Sequence, residues 1–278
     1  MNNLPDGNRQ SNIERFSGYE DTYDRYRPSA PQEVVNILTG YLQQKPGLVL
    51  DIGCGTGLST FIWRNHAHNI VGVEPNDDMR GKAEAKLNSL HLQEADGSIR
   101  FMSGYSNQLE FPDEAADLIT CSQSFHWMEP VSTLAEVARV LRPGGVFAAY
   151  DCDWPPTASW QSEKAYVELL SNADKLLQER QTQQDQALKR NKESHLANIL
   201  HSGAFRYARE IVFHNRELCD GERYFGLALS QGGIQTVLKL GLPDLEEEIH
   251  RFKELVKEHF QDRTLEVLFS YRMRIGIN

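Results

Sequence analysis

The sequence predicts an α/β fold, a doubly wound and mostly parallel sheet with helices on both faces. Three observations carry this prediction. Residues 49–60 run Val-Leu-Asp-Ile-Gly-Cys-Gly-Thr-Gly-Leu-Ser-Thr, a buried strand, a glycine-dense turn and a helix start in succession. From residue 47 to 150 short apolar runs alternate with helical patterns, the signature of parallel strands joined by crossover helices. The last run alternates strictly: Leu265, Val267, Phe269, Tyr271, Met273 and Ile275 share one face, with Glu266, Ser270, Arg272 and Arg274 on the other. Such a run is a half-exposed strand near a sheet edge.

Taken in order, residues 16–28 are dense in Tyr and Arg and lead to a helix marked by Val34, Val35, Leu38, Tyr41 and Leu42. After the glycine turn, residues 69–73 form a second strand closed by Glu74 and Pro75. The third strand ends at Met102, followed by Ser-Gly-Tyr-Ser-Asn. The fourth covers residues 116–121, and the helix after it carries Leu134, Val137, Ala138 and Leu141. The fifth ends at Asp151. A Gln- and Lys-rich helical stretch then runs to about residue 200, with Tyr166, Leu169, Leu170, Ala173, Leu176 and Leu177 on one face; residues 178–192 read as a solvated helical hairpin. Residues 211–213 read as a strand, and Leu245, Ile249, Phe252, Val256 and Phe260 mark an amphipathic helix. With no repeat or linker, one domain is expected: a cover (1–45), a cofactor-binding core (46–156), a helical lid (157–205) and a return to the sheet (206–278).

In open α/β sheets ligands sit beyond the carboxyl ends of the strands. Asp51, Glu74, the loop after Met102, Gln123 and Asp151 all fall at such ends and are predicted to converge on one crevice. Gly53, Gly55 and Gly57 let the backbone approach a nucleotide-like cofactor there, since no Cβ intervenes. A dinucleotide fingerprint needs G-x-G-x-x-G, and Leu58 stands where its third glycine would be. NAD is therefore disfavoured.

The actual pattern, D-x-G-x-G-x-G from Asp51 to Gly57, resembles the first motif of the class I S-adenosylmethionine (SAM) dependent methyltransferases. Gln123-Ser124-Phe125-His126-Trp127 resembles the Q-A-F-H-W element of the subgroup that includes trans-aconitate methyltransferase. Leu141-Arg142-Pro143-Gly144-Gly145 resembles the turn into the fifth strand of that superfamily, and the closing strand its antiparallel seventh. The resemblance implies a Rossmann-like sheet with a helical lid, SAM as cofactor and S-adenosylhomocysteine as product. It implies cofactor contacts from Asp51, Gly53, Cys54, Gly55, Ser122 and Gln123, and from Glu74 to both ribose hydroxyls. Pro75 and Met79 would lie against adenine, Met79 alternatively serving as ordinary helix packing. The family commonly has a carboxylate after the third strand. This chain lacks one, so Ser106 would accept the adenine hydrogen bond or Tyr105 would stack. The Y-x-x-Y-R-P segment resembles the subgroup's pocket cover, which places Tyr23 and Arg27 at the methionine end or the substrate; as a plain aromatic stripe they would only pack on the core.

Bulk properties narrow the partners. With 278 residues the chain buries a sizeable core without staples. Four cysteines without C-x-x-C spacing, and no signal-like start, fit a reducing cytoplasm. Cys54 itself reads as a small space-filler. A net charge of −10 with no long basic run argues against nucleic acid, and no run of about 18 apolar residues points to a membrane. None of the nine histidines has metal-site spacing, so no metal is expected. A small-molecule acceptor and a monomer or homodimer are the expected partners.

Methyl transfer is an in-line displacement, so the protein must chiefly align nucleophile, methyl and sulfur away from water. A carboxylate acceptor arrives ionised and needs only a clamp, whereas a hydroxyl or amine must lose a proton. His126 is the candidate base or substrate donor, or else a structural histidine. Tyr19, Trp127, Trp154 and Trp160 are candidate substrate walls, and Arg27 and Arg272 candidate carboxylate clamps. Oxygen is the expected methyl acceptor. The alternatives are intramolecular displacement within SAM, which releases methylthioadenosine, and SAM binding in a regulatory role.

Overall fold

The computed structural model describes residues 4–90, 97–182 and 185–278; the first three residues of the expected polar start and two glutamines of the expected hairpin lie outside them. The strands are β1 (Leu48–Ile52), β2 (Asn69–Val73), β3 (Ser98–Met102), β4 (Ala116–Ser122), β5 (Leu141–Cys152), β6 (Tyr207–Cys219) and β7 (Leu265–Ile277). They form one sheet in the order β3-β2-β1-β4-β5-β7-β6. β7 runs antiparallel to both β5 and β6, and the other recorded pairings are parallel. The sheet is the Rossmann-like one expected, with its topological switch between β1 and β4.

The helices are α1 (Gln10–Glu14), α2 (Glu20–Tyr26), α3 (Gln32–Leu42), α4 (Asp77–Ser89), α5 (Pro130–Val140), α6 (Trp160–Arg180), α7 (His195–His201), α8 (Gly221–Leu229), α9 (Gly232–Lys239) and α10 (Glu246–Phe260). Two apolar clusters sandwich the sheet. One gathers Val34, Leu38, Trp63, Tyr166, Tyr224, Phe252 and Phe269; the other gathers Leu50, Ile52, Ile119, Phe125, Leu134 and Phe147. Alternate residues of β1 and β4 enter opposite clusters, as strands buried on both faces require.

Register aligns the strand ends. Ile52 pairs with Val73, Val73 with Met102, and Ser122 with Tyr150. Gly53, Glu74, Ser103, Gln123 and Asp151 therefore lie at or just beyond one edge of the sheet.

Five features depart from the sequence expectations. The helix expected after the glycine turn is only a 3₁₀ turn, Phe61–Trp63. The hydroxyls of Ser59 and Thr60, where that helix would begin, both donate to Asp51, at 2.6 and 2.7 Å, and hold the chain against β1. The strand expected at residues 211–213 extends over 13 residues, because β6 pairs with β7 along its whole length. Arg274, placed on the polar face of the last strand, is 1% exposed, while Trp160 is 71% exposed and lines neither of the two cavities described below. Finally, α6 packs on α9 and α10, so the helical layer comes from two stretches of chain, before β6 and between β6 and β7.

Candidate functional site

The switch point opens into a cavity of about 100 Å³. Gly53 and Gly55 form its floor with φ of +67° and +55°, a region costly for any side chain. The amides of Gly53 and Cys54 both donate to the Val73 carbonyl, at 2.8 and 3.3 Å, which curls the loop over the end of β2. A Cβ on Gly53 would stand 2.6 Å from that of Ser124, whereas one on Gly55 would enter open space.

Glu74 completes this wall. One carboxylate oxygen accepts from the Gly55 amide and the other from the Asn76 amide, both at 2.9 Å. Each oxygen retains a lone pair for a ligand hydroxyl. Burial raises the Glu74 pKa to about 7, although the Asn76 and Gly55 amides and Arg80 work to lower it. Pro75, Met79, Tyr105, Ser106, Ser122 and Gln123 also line the cavity, together with Tyr23 from α2. Met79 is fixed by the Asn76 cap of α4, whose side chain accepts from the Met79 amide at 3.0 Å. The Ser106 hydroxyl lies 2.7 Å from that of Thr133.

Three predicted cofactor residues do not reach this cavity. Asp51 is fully buried, its carboxylate accepting from Ser59, Thr60 and Thr120, so it anchors the loop from behind. Cys54 turns its sulfur toward Gly72 of β2 and fills space there. Arg27 faces a second cavity instead, donating to the hydroxyl and carbonyl of Ser230.

The roof is the N-terminal segment, held by asparagines. Asn8 donates to Asn107 at 2.9 Å, and Asn76 donates to the Ile13 carbonyl at 2.9 Å. Asn12 donates to the carbonyls of Trp127 and Leu188 and accepts from the Leu188 amide, so one side chain ties cover, motif loop and lid together.

The second cavity is large, about 1220 Å³, and Phe16, Tyr23, Gln123 and Trp127 line both. Trp154 walls it, donating to Gln123 at 3.1 Å and lying parallel to Tyr166. Arg272 is there too, bound to Asp153 at 2.9 Å. Tyr19, predicted as a substrate wall, lines neither cavity; it is buried, with Lys239 over its ring.

His126 sits in a 3₁₀ turn, 4% exposed, with Nδ1 3.4 Å from Asp151. Burial lowers its pKa to about 4; Asp151 opposes this and Lys192 adds to it. It is neutral at pH 7 and a weak base. For Asp151 burial works upward, but Lys192 at 2.7 Å and then His126 outweigh it and hold the carboxyl well below its usual range.

Sequence reasoning missed much of this wall. Arg15, Lys189, Lys192 and Lys239 join Arg27 and Arg272 there, six cations against the carboxylates Glu14, Asp153, Asp174 and Asp185 in a chain of net charge −10. Arg15 stacks over Trp127 at 4.2 Å and its Nε is buried without a hydrogen-bond partner. Among the described residues neither Arg15 nor Lys189 makes an ion pair, and burial lowers the pKa of both. The run Lys189-Arg190-Asn191-Lys192 inside the Gln-rich stretch was the available signal.

The sheet order and the glycine loop closed by a carboxylate define the class I methyltransferase fold. Comparison with known proteins agrees with this fold: residues 50–149 match a family described as a methyltransferase domain. A probable S-adenosylmethionine-dependent methyltransferase of Saccharomyces cerevisiae is 30% identical over 127 residues, which cover 45% of this chain and 43% of that protein. The match thus spans less than half of either protein. A putative type II methyltransferase from Anaeromyxobacter dehalogenans superposes with a TM-score of 0.64 at 18% identity, covering 91% of this chain and 98% of that one. The [4+2]-cyclase SpnF superposes with 0.52 at 14% identity, covering 100% and 99%. Fold alone therefore does not decide the reaction.

Proposed function

We propose that this protein transfers a methyl group from SAM to a carboxylate oxygen of a small-molecule acid. The smaller cavity takes the cofactor, with Glu74 on the ribose hydroxyls and Gly53 and Gly55 beneath the methionine part. The larger cavity takes the acceptor, and the shared wall of Phe16, Tyr23, Gln123 and Trp127 is where methyl and nucleophile meet.

The observation that carries the acid is Arg15, a buried guanidinium on the Trp127 ring whose Nε has no hydrogen-bond partner and which, among the described residues, has no counter-charge within ion-pair distance, Asp174 acting on it only from farther away. A bound carboxylate supplies that charge, and bidentate pairing suits the guanidinium fork. His126 points the same way. A general base works best with a pKa near the operating pH, and one near 4 is poorly matched to removing a hydroxyl proton. An ionised acid needs no such base. His126 and Arg272 then line the acceptor site, and alignment with exclusion of water supplies most of the rate.

The test is an incubation with SAM and a pool of carboxylic acids, beside the matched alcohols and amides, with S-adenosylhomocysteine and methyl esters measured. Ester formation confined to the acids is expected. Methylthioadenosine without a methylated product would identify intramolecular displacement, and SAM binding with no turnover on any pool would leave a binding role; either outcome rejects the proposal.

A further inference from the structure

Three side chains from separate elements meet at the carboxyl end of β5. His126 comes from the 3₁₀ turn after β4, Asp151 from β5 itself, and His195 from the first residue of α7. Their exposures are 4, 2 and 1%. Asp151 lies between the imidazoles, with Oδ1 3.4 Å from His126 Nδ1 and Oδ2 3.6 Å from His195 Nε2.

Lys192 meets Asp151, but well-formed hydrogen bonds do not satisfy the imidazoles. Nδ1 of His126 and both ring nitrogens of His195 are buried with no hydrogen-bond partner. Both separations exceed the roughly 2.7–3.2 Å of an N–H···O bond. Native interiors rarely leave such atoms unpaired unless an ion or an ordered water meets them. The separations are close to those of donors sharing one metal ion: ligands about 2.1 Å from a divalent ion stand roughly 3.0–3.4 Å apart at octahedral or tetrahedral angles. With one ligand atom taken from each residue all three lie within 4.8 Å of one another, so the donors must draw together by roughly 1 Å to share an ion. Imidazole nitrogen is also the commonest side-chain donor to such ions.

We infer that His126, Asp151 and His195 form a binding site for a divalent transition-metal ion of the zinc or cobalt class, which enters in exchange for the Lys192 ammonium. Two imidazoles and one carboxylate suit such ions better than calcium or magnesium, which prefer all-oxygen shells. The exchange follows from charge. Lys192 Nζ is 2.7 Å from Asp151 Oδ1 and an Arg274 nitrogen 3.8 Å from Oδ2, so a dication cannot join both. Arg274 is held by Glu210 at 2.7 Å, whereas the Lys192 side chain is 24% exposed and borders the large cavity, where its ammonium can be solvated. The coordination position that Lys192 vacates then faces that cavity and is open to a ligand oxygen.

This inference is independent of methyl transfer. Its test is titration of the chelator-treated whole chain with Co²⁺, followed by visible absorption, with Zn²⁺ as competitor. One bound equivalent is expected, lost in Asp151→Asn and His195→Gln. Lys192→Met, which removes the competing charge, is expected to bind at least about tenfold tighter. Absence of binding by both the wild type and Lys192→Met, each shown folded by circular dichroism, would overturn the site. So would binding that survives Asp151→Asn and His195→Gln, and unchanged affinity in Lys192→Met would overturn the exchange.

Discussion

The Gly55 amide donates to Glu74 Oε2 at 2.9 Å, which ties the glycine loop after β1 to the carboxylate after β2. In the proposed site this one contact sets both the loop that would approach the cofactor and the carboxylate that would read its ribose. Glu74→Gln removes the charge while keeping the shape. Its affinity for S-adenosylhomocysteine, measured by titration calorimetry, is expected to fall about tenfold or more, the cost of losing charge-assisted hydrogen bonds.

Burial gives that site a pH dependence. With a pKa near 7 Glu74 is half protonated at neutral pH before ligand binds, and only the carboxylate accepts from both ribose hydroxyls. Affinity should rise as pH climbs through 7 and level off above it, and the profile should flatten in Glu74→Gln. The stability effect has the opposite sign. The folded carboxyl binds its proton more tightly than the unfolded one, at 4.5, so its contribution declines as pH rises from about 4.5 to 7.

Two alanines should separate folding from binding. In Gly53→Ala the new Cβ meets Ser124 at 2.6 Å with φ at +67°, so thermal stability is expected to drop, by about 1–3 kcal/mol. In Gly55→Ala the methyl enters open space at the cavity. That variant should melt close to the wild type, with only the strain of its positive φ, yet lose S-adenosylhomocysteine binding. Equal loss of stability in both would remove Gly55 from the binding site.

Arg15 lines only the larger cavity. Arg15→Met retains bulk against Trp127 and removes the charge, so KM for an acid acceptor should rise at least about tenfold while cofactor affinity stays put. A matched rise in KM for neutral analogues would show a packing role instead.

His126 and His195 predict the acid limb of stability. Both have folded pKa values lowered to about 4 from 6.5, so the folded state binds fewer protons in that window. Stability is expected to be lost as pH falls from about 6.5 toward 4, with uptake of about two protons on unfolding. Denaturant melts across this range check it, and His195→Gln should make the slope shallower.

The chain's local patterns determined the frame. Period-two and period-3.6 apolar spacing located strands and helices, and the D-x-G-x-G-x-G turn with Glu74 one strand later marked the cofactor end, because backbone conformation and strand direction are written in neighbouring residues. The roles of Asp51 and Arg274 were not legible there. Both carry charges that a sequence pattern assigns to ligand or solvent, yet Asp51 is enclosed by three hydroxyls and Arg274 by Glu210 and the elements around β7.

What only the tertiary structure decided is the acceptor wall. Arg15, His126 and Lys189 come from three separate stretches of the chain to line the larger cavity, and the unpaired Arg15 Nε and His126 Nδ1 are a property of where packing brings them. Whether a buried cation or imidazole is satisfied depends on atoms distant in sequence. Local order therefore specified the half proposed for the cofactor, and long-range packing the half proposed for the methyl acceptor.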